Sequence, residues 1–270
     1  MRNPIPNEEF EKIIEAAKLY ADESRQIIKE ITFSGFSIST KLDKSLVTDA
    51  DTKIERHLRE HIVSMFPTHG VEGEEFGILN PEAKTRWVLD PIDGTEEFVH
   101  GIPLFGTIIS VFHEGMPMLG LLDHPALGLR TIGVSGQGVI VEPGGRRIYI
   151  EDTEIDRSTL RVAVSKPKNF LRRGDQSSIF NKIVSVFPNI RVFDTCFAYT
   201  CVAHGSVDVM LDMNIRIWDH GASQCIIPEA GGVYHPIHEE VGVDGLPMLS
   251  AVFGKPKAVQ AVVAEIEKII

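Results

Sequence analysis

The chain has 270 residues, with 38 acidic and 27 basic side chains and a formal net charge of −11. A hydrophobic fraction of 43% and a charged fraction of 24% are typical of a globular protein and exclude a disordered or collagenous one. The acidic balance excludes nucleic acid or an anionic membrane as the main partner, since both require a Lys/Arg surface. The length allows one large domain or two moderate ones.

Cysteine usage and apolar run length predict a cytoplasmic protein. No stretch reaches the ~18 apolar residues that a membrane span needs. The three cysteines, Cys196, Cys201 and Cys225, contain no CxxC pair. This odd set predicts neither a disulfide framework nor a cysteine-rich zinc site, and it favours small buried thiols in a reducing compartment.

The first half begins with two predicted helices. Apolar residues at spacings of three and four predict a helix over 7–32, with Asn7 as its cap. Residues 33–47 are predicted as a loop or hairpin. A second helix is predicted over 52–66, where Pro67 ends it.

Strands and an α/β alternation follow. An apolar run over 86–90 predicts a buried strand that ends in a carboxylate. Further strands are predicted at 105–112, 118–122, 130–134, 138–141, 146–150, 160–164, 190–193, 207–211, 233–235 and 249–253. Helices are predicted at 177–187, 196–203, 219–230 and 257–270. The pattern predicts a layered α/β (α+β) architecture, divided at a polar stretch into domains 1–152 and 153–270.

The densest chemical signal is the segment Asp90-Pro-Ile-Asp-Gly-Thr95. Its two carboxylates can point into one space, where unit charges 4 Å apart repel by about 4 kcal/mol at an effective dielectric of 20. Either a proton or a cation must then relieve them. Gly94 and Thr95 resemble the start of a helix, whose N–H groups bind anions. This motif alone leaves metal-assisted phosphoryl transfer and an ordinary acidic turn equally open.

Two further acidic motifs flank that strand. Glu74 and Glu75 precede it, and Asp219 follows Trp218 at the predicted start of a helix. Taken alone, Asp219 is most simply a helix N-cap and Glu74 a solvated loop residue.

Together the motifs resemble the inositol monophosphatase-like family of Mg²⁺-dependent phosphatases. Leu46-Val-Thr-Asp-Ala-Asp51, Gly73-Glu-Glu75, Asp90–Thr95, Trp218-Asp219 and Ala230-Gly-Gly232 occur in that family's order and approximate spacing. The resemblance covers about residues 8 to 268. It implies an α-β-α-β-α layered sandwich and hydrolysis of a small phosphate monoester by metal-activated water, with two or three Mg²⁺ ions.

The resemblance also implies a role for each matching residue. The metal ligands are Glu74, Asp90, the carbonyl of Ile92, Asp93 and Asp219. Thr95 holds the attacking water, Asp51 supports Thr95, and Glu74 contributes to catalysis. The N–H groups of Gly94 and Thr95 bind the phosphate, and Lys41 lies near the metals. Asp212 stands where inositol phosphatases carry a glutamate that contacts substrate hydroxyls.

Within the family, the chain looks most similar to the histidinol-phosphate phosphatases of histidine biosynthesis. The run Pro103–Thr107, the pair Asp123-x-Pro125 and Arg130 carry this similarity. Asp212 could pair with the ammonium or imidazole of histidinol phosphate. Inositol 1-phosphate is the alternative, with Asp212 binding hydroxyls. The family commonly forms dimers, so a homodimer is expected.

Two rival functions fit the sequence less well. His57-Leu-Arg-Glu-His61 matches HxxEH, a zinc-peptidase signature. However, Ile54, Leu58 and Ile62 define the buried face of that helix, which predicts both histidines on its solvated face. A regulatory protein without catalysis should lack at least one metal-binding carboxylate, and none of the expected carboxylates is missing.

Overall fold

The fold is a stack of helical layers and two β-sheets. A computed structural model describes residues 4–40, 46–171, 174–242 and 244–269. The helices are α1 Asn7–Ser34, α2 Asp49–Met65, α3 Thr95–Val99, α4 Gly174–Val186, α5 Phe197–Ala203, α6 Ile217–Glu229 and α7 Pro256–Ile266. The strands are β1 Ile38–Thr40, β2 Leu46–Thr48, β3 Gly70–Gly73, β4 Gly77–Leu79, β5 Thr85–Asp93, β6 Gly106–His113, β7 Met116–His124, β8 Leu129–Val134, β9 Gly138–Glu142, β10 Arg146–Ile148, β11 Val162–Val164, β12 Ile190–Val192, β13 Val209–Ile215, β14 Val233–Val241 and β15 Pro247–Gly254.

The larger sheet has eight strands in the order β10-β9-β8-β7-β6-β5-β3-β4. Its pairs are antiparallel except β3 with β5. The smaller sheet has the order β12-β11-β13-β15-β14 and is mixed. Strands β1 and β2 pair separately, which agrees with the hairpin alternative for this segment.

Three apolar clusters hold the layers together. The first joins α1 and α2 to one face of the large sheet and includes Phe10, Ile54 and Trp87. The second lies between the sheets, around α5 and α6. The third packs α4 and α7 against the outer face of the small sheet. The predicted layered sandwich is therefore confirmed.

Helix α6 fits tightly against the large sheet. A Cβ on Gly120 would lie 2.2 Å from the Ala222 carbonyl oxygen, and one on Gly133 would lie 2.8 Å from the Ile226 Cα. Only glycine allows this approach. Since α6 also contacts β5, β14 and β15, residues from both predicted domains share one core, and the proposed division at 152 stays a prediction.

Several element boundaries differ from the predicted ones. Helix α2 begins at Asp49, three residues early, because Thr48 and Asp51 form a capping box. The short strands β3 and β4 had no clear sequence pattern, and β5 runs on to Asp93. Within the described ranges, no helix combines the length and apolar character needed to cross a bilayer.

Candidate active site

The end of β5 presents two carboxylates to one space. The register of β5 with β6 is irregular between Asp90 and Asp93, and such a bulge re-aims side chains. The next residue, Gly94, has φ +82°, and a Cβ there would lie 2.5 Å from Thr195 Cγ2. Glycine is therefore required at this turn, which leads directly into α3.

A third carboxylate comes from the other half of the chain. Asp219 lies in the first turn of α6 and accepts a hydrogen bond from the Arg216 N–H at 2.7 Å. One oxygen each of Asp90, Asp93 and Asp219 lies within 4.8 Å of the other two. The structure thus joins three of the predicted metal ligands, and their roles remain a proposal.

Burial dominates the electrostatics of this group. It raises the pKa of Asp90 and of Asp219 well above the usual range, with added repulsion from Glu74. It raises the pKa of Asp93 to about 7. Asp90 Oδ1 is buried without a hydrogen-bond partner among the described residues, and no described Lys or Arg forms a salt bridge with any of the three. Three carboxylates and an unpartnered oxygen fit a hard divalent cation such as Mg²⁺.

Glu74 lies on the loop between β3 and β4. Its N–H donates to the Leu89 carbonyl at 3.3 Å, and it lines the same cavity as Asp90. Its carboxylate is outside the 4.8 Å group of three aspartates. The structure therefore places Glu74 beside the cluster and not within it.

The side chain that holds this loop was missed by sequence reasoning. Glu55 on α2 is fully buried and accepts hydrogen bonds from the N–H groups of Glu75 and Phe76, at 2.8 and 3.2 Å. It also accepts one from Arg59 Nε at 2.8 Å. The signal in the sequence was that Glu55 lies on the same face of the helix as Leu58 and Ile62. That face is buried, and a charge on a buried face needs hydrogen-bond partners.

Thr95 and Asp51 are neighbours, as expected. The Thr95 hydroxyl lies 3.3 Å from Asp51 Oδ1 and 3.2 Å from the Ile92 carbonyl oxygen, so its single proton has two acceptors. Asp51 Oδ2 accepts from the Thr48 N–H and hydroxyl, at 2.8 and 2.6 Å. Asp51 is thereby fixed behind Thr95.

The site opens into a cavity of about 840 Å³. Asp212, on β13, lies in its wall, is 2% exposed and accepts a hydrogen bond from the Tyr199 hydroxyl at 2.5 Å. Its Oδ1 has no hydrogen-bond partner among the described residues. Burial raises the pKa of Asp212 to about 6. Lys41, predicted near the metals, lies outside the described residues.

Asp123 and Arg130, two of the residues that carried the histidinol-phosphatase similarity, lie elsewhere. Asp123 is fully buried and accepts from Arg25 at 2.6 and 2.8 Å and from Arg130 at 2.6 Å. Neither Asp123 nor Arg130 lines the catalytic cavity. They join α1, β7 and β8 in an ion group, so they do not contact a substrate in that cavity.

The HxxEH histidines are only half-buried. Ile54, Leu58 and Ile62 are fully buried, as predicted. His57 and His61 face Glu23 of α1, whereas Glu60, which a zinc peptidase would use, is exposed.

Comparisons with known proteins agree with this geometry. The model of the inositol monophosphatase family matches residues 9–269. The histidinol-phosphatase of Mycobacterium tuberculosis is 30% identical over 72% of this chain and 75% of its own length. A fructose-1,6-bisphosphatase/inositol-1-monophosphatase of Aquifex aeolicus is 31% identical over 88% of this chain and 91% of its own.

A solved structure shows the same fold. The extragenic suppressor protein suhB of Bartonella henselae superposes with a TM-score of 0.82 at 21% identity, over 96% of this chain and 100% of that one. Fold, acidic cluster and family model therefore agree, and the chain belongs to the inositol monophosphatase family, whose members are phosphatases that act on small phosphorylated compounds.

Proposed function

We propose that the chain hydrolyses histidinol phosphate to histidinol and phosphate in a Mg²⁺-dependent reaction. The observation that carries the substrate assignment is Asp212, a buried cavity-wall carboxylate with one oxygen lacking a hydrogen-bond partner in the described chain. Its pKa of about 6 leaves it ionised at neutral pH. A substrate with a cationic end can compensate such a charge, whereas hydroxyl groups compensate it less.

The charge of the whole cavity supports the same choice. Its acidic lining residues are Glu74, Asp90, Asp93, Glu96, Glu97, Asp194, Asp212, Asp219 and Asp244. In the described part of the chain, its basic lining residues are Lys166, Lys168 and Arg216. Lys166 pairs with Asp194, and Arg216 donates to Asp244 at 2.6 Å. Among the described lining residues, negative charge therefore exceeds positive charge even beyond the metal-binding cluster, which favours a substrate carrying an ammonium or imidazolium group.

Each site residue has a defined part in the proposed reaction. Mg²⁺ would be held by Asp90, Asp93, Asp219, Glu74 and the Ile92 carbonyl. When bound, the ions would make the attacking water more acidic and would stabilise charge on the leaving oxygen.

The protein's own groups position the water and the phosphate. Asp51 accepts a hydrogen bond from the Thr95 hydroxyl, which leaves the Thr95 oxygen free to accept a hydrogen bond from the attacking water. The N–H groups of Gly94 and Thr95 bind phosphate oxygens.

Inositol 1-phosphate is the second candidate. The Aquifex relative, at 31% identity, is named for inositol-1-monophosphatase and fructose-1,6-bisphosphatase activities, while the Mycobacterium relative at 30% is named a histidinol-phosphatase. The names of relatives thus support both substrates equally. Asp212 and Tyr199 could instead bind hydroxyls, so the choice depends on whether Asp212 needs a cationic partner.

The first experiment tests the reaction class. Hydrolysis of p-nitrophenyl phosphate is measured with Mg²⁺, after removal of metal by EDTA, and after Mg²⁺ is restored. We expect activity to vanish with EDTA and to return with Mg²⁺, better than with Zn²⁺ or Ca²⁺, because all-oxygen donors suit a small hard ion. Full activity in excess EDTA would contradict a metal-dependent mechanism.

The second experiment tests the substrate. We compare kcat/KM for histidinol phosphate, inositol 1-phosphate and fructose 1,6-bisphosphate. A preference for inositol 1-phosphate of more than tenfold, about 1.4 kcal/mol in transition-state binding, would overturn the assignment.

A variant pair then tests the role of Asp212. Asp212→Asn should lower kcat/KM for histidinol phosphate by about tenfold or more and change that for inositol 1-phosphate less. Asp244→Asn, at the exposed rim of the same cavity, is the control and should change the ratio of the two substrates much less than Asp212→Asn does.

A further inference from the structure

Three side chains of types that bind metal ions lie close together between α1 and α2, outside the catalytic cavity. One oxygen of Glu23, one nitrogen of His57 and one nitrogen of His61 all lie within 4.8 Å of one another. None of the three lines the catalytic cavity. The HxxEH segment of the sequence thus takes part in a grouping that phosphatase chemistry does not use.

The helix geometry explains why the histidines meet. Residues four apart on a helix lie on the same face, one turn above the other. The rings of His57 and His61 have centroids 4.2 Å apart. Ile54, Leu58 and Ile62 fix the rotation of α2 against the core, which turns this histidine pair toward α1.

The two separations from Glu23 to the histidines match a tetrahedral metal site. Glu23 Oε2 lies 3.2 Å from His57 Nε2 and 3.1 Å from His61 Nδ1. Ligands about 2.0 to 2.2 Å from a tetrahedral zinc ion are separated from one another by about 3.3 Å. Both measured separations are close to that value.

The surroundings favour an ion over a hydrogen-bonded pair. Glu23 Oε2 is buried at the atomic level and has no well-directed hydrogen bond from a described group, although two ring nitrogens lie beside it. The side chains of His57 and His61 are 35% and 42% exposed. A metal can therefore enter from solvent, and water can complete its coordination.

We propose that Glu23, His57 and His61 bind one Zn²⁺ ion that links α1 to α2. Two imidazoles and one carboxylate suit zinc and related transition ions, and they suit Mg²⁺ poorly. The role is structural, because the ion joins two helices of the first apolar cluster. Helix α2 also carries Asp51 and Glu55, so the link steadies the support of the catalytic loop.

The test separates this site from the catalytic one by metal type. Metal-free protein is saturated with Mg²⁺ and titrated with Zn²⁺ against a competing chelating dye, and Co²⁺ is used in parallel for its visible absorption. We expect one Zn²⁺ bound per chain and the intense bands of a tetrahedral Co²⁺ site. His57→Ala and His61→Ala should each weaken Zn²⁺ binding by about 100-fold. His235→Ala, an exposed histidine on β14, is the matched control and should bind Zn²⁺ as the unmodified chain does.

Two further readouts distinguish zinc at this site from zinc at the catalytic cluster. Asp219→Asn should retain the Zn²⁺ ion, because it disturbs only the catalytic cluster. Zn²⁺ at 100 times its Kd should raise Tm by roughly 5 °C in the unmodified chain and not in His57→Ala. Glu23→Gln serves as a second variant if His57→Ala does not fold. Equal Zn²⁺ affinity in the unmodified chain and in the histidine variants, or loss of the ion only in Asp219→Asn, would overturn the proposal.

Discussion

Asp123 and the cluster of Asp90, Asp93 and Asp219 meet opposite environments. Asp123 is fully buried and accepts three charge-assisted hydrogen bonds from Arg25 and Arg130. Asp90, Asp93 and Asp219 are gathered within 4.8 Å, with no salt bridge to a described basic side chain. The charge of Asp123 is therefore compensated by arginines of the same chain, whereas the three clustered aspartates concentrate negative charge.

The difference separates a structural group from a functional one. A buried charge is tolerated when it is paired with an opposite charge. Removing one member of the pair leaves the other as an uncompensated buried charge, which destabilises the fold. An unpaired group of carboxylates destabilises the fold unless protons or a cation relieve it. A protein keeps such a group where it binds a cation, so each prediction below tests one side of this contrast.

The largest effect is expected for Asp93→Asn, which removes one charge from the unpaired group. Activity should fall by about 10³-fold or more, equivalent to about 4 kcal/mol, because a proposed metal ligand is weakened. The metal-free variant should, however, be more stable than the metal-free unmodified chain at pH 8. Initial rates with Mg²⁺ and thermal unfolding in EDTA measure the two effects.

The pH dependence gives the control for Asp93→Asn. The Asp93 carboxyl has a folded pKa of about 7 against an ordinary 3.8, so the folded state binds its proton more tightly. The destabilisation therefore develops as pH rises from about 4 to 7. Equal stability gains at pH 4 and pH 8 would contradict this origin.

Asp123→Asn should act in the opposite way. It removes the buried charge that pairs with Arg25 and Arg130, and among the described residues Arg130 keeps only its ion pairs with Asp22 and Glu142. We expect a loss of about 3 kcal/mol in the free energy of unfolding. The kcat of the folded enzyme should stay close to normal, since Asp123 does not line the cavity. Denaturant unfolding and steady-state kinetics on the same sample test both statements, and a tenfold loss of kcat would show that the ion group also serves catalysis.

Asp208 extends the comparison to a buried carboxylate whose basic partners, Arg161 and Lys255, are more exposed. Burial opposes its ionisation, but hydrogen bonds from Arg161 and Lys255 lower its pKa to about 2, below the ordinary 3.8. Its contribution of about 2 kcal/mol should be complete above pH 4 and lost as pH falls toward 2. Thermal unfolding of Asp208→Asn and the unmodified chain should therefore converge at pH 2, and a constant difference would exclude this pairing as the cause.

The smallest effect is expected for Glu55→Gln. The amide keeps the shape but removes the charge that holds the N–H groups of Glu75 and Phe76, so Glu74 should be less well positioned. We expect kcat/KM to fall about tenfold, equivalent to about 1.4 kcal/mol, with a raised requirement for Mg²⁺. Glu60→Gln, exposed on the same helix, is the control and should have no effect.

Much of the fold followed from local patterns. The spacing of Ile54, Leu58 and Ile62 predicted which face of α2 is buried, and the apolar run at 86–90 predicted the strand that delivers Asp90. Strands β3 and β4 were missed because three or four residues with several glycines show no periodicity. Partners from neighbouring strands, rather than their own side chains, define them.

The candidate site divides in the same way. Motif order identified Asp90, Asp93 and Asp219, and the structure brings them together. Motif order could not reveal that Glu55 holds the Glu74 loop. Glu55 accepts its hydrogen bonds from backbone N–H groups, which do not depend on residue type, so the loop sequence carries no signal of this contact. The similarity at Asp123 and Arg130 pointed to a substrate, but the structure places both residues in an ion group away from the cavity.

The sequence by itself determined the family, the acidic chemistry and the buried faces of the long helices, because these depend on residue type and on short, regular spacings. Only the tertiary structure decided which distant side chains face each other. Glu23 lies opposite His57 and His61, and Arg25 reaches Asp123 across 98 residues of chain. Such pairs depend on how the layers stack and on how each helix is rotated in its layer. Apolar packing determines both the stacking and the rotation, and the polar residues that it brings together show no pattern in the sequence.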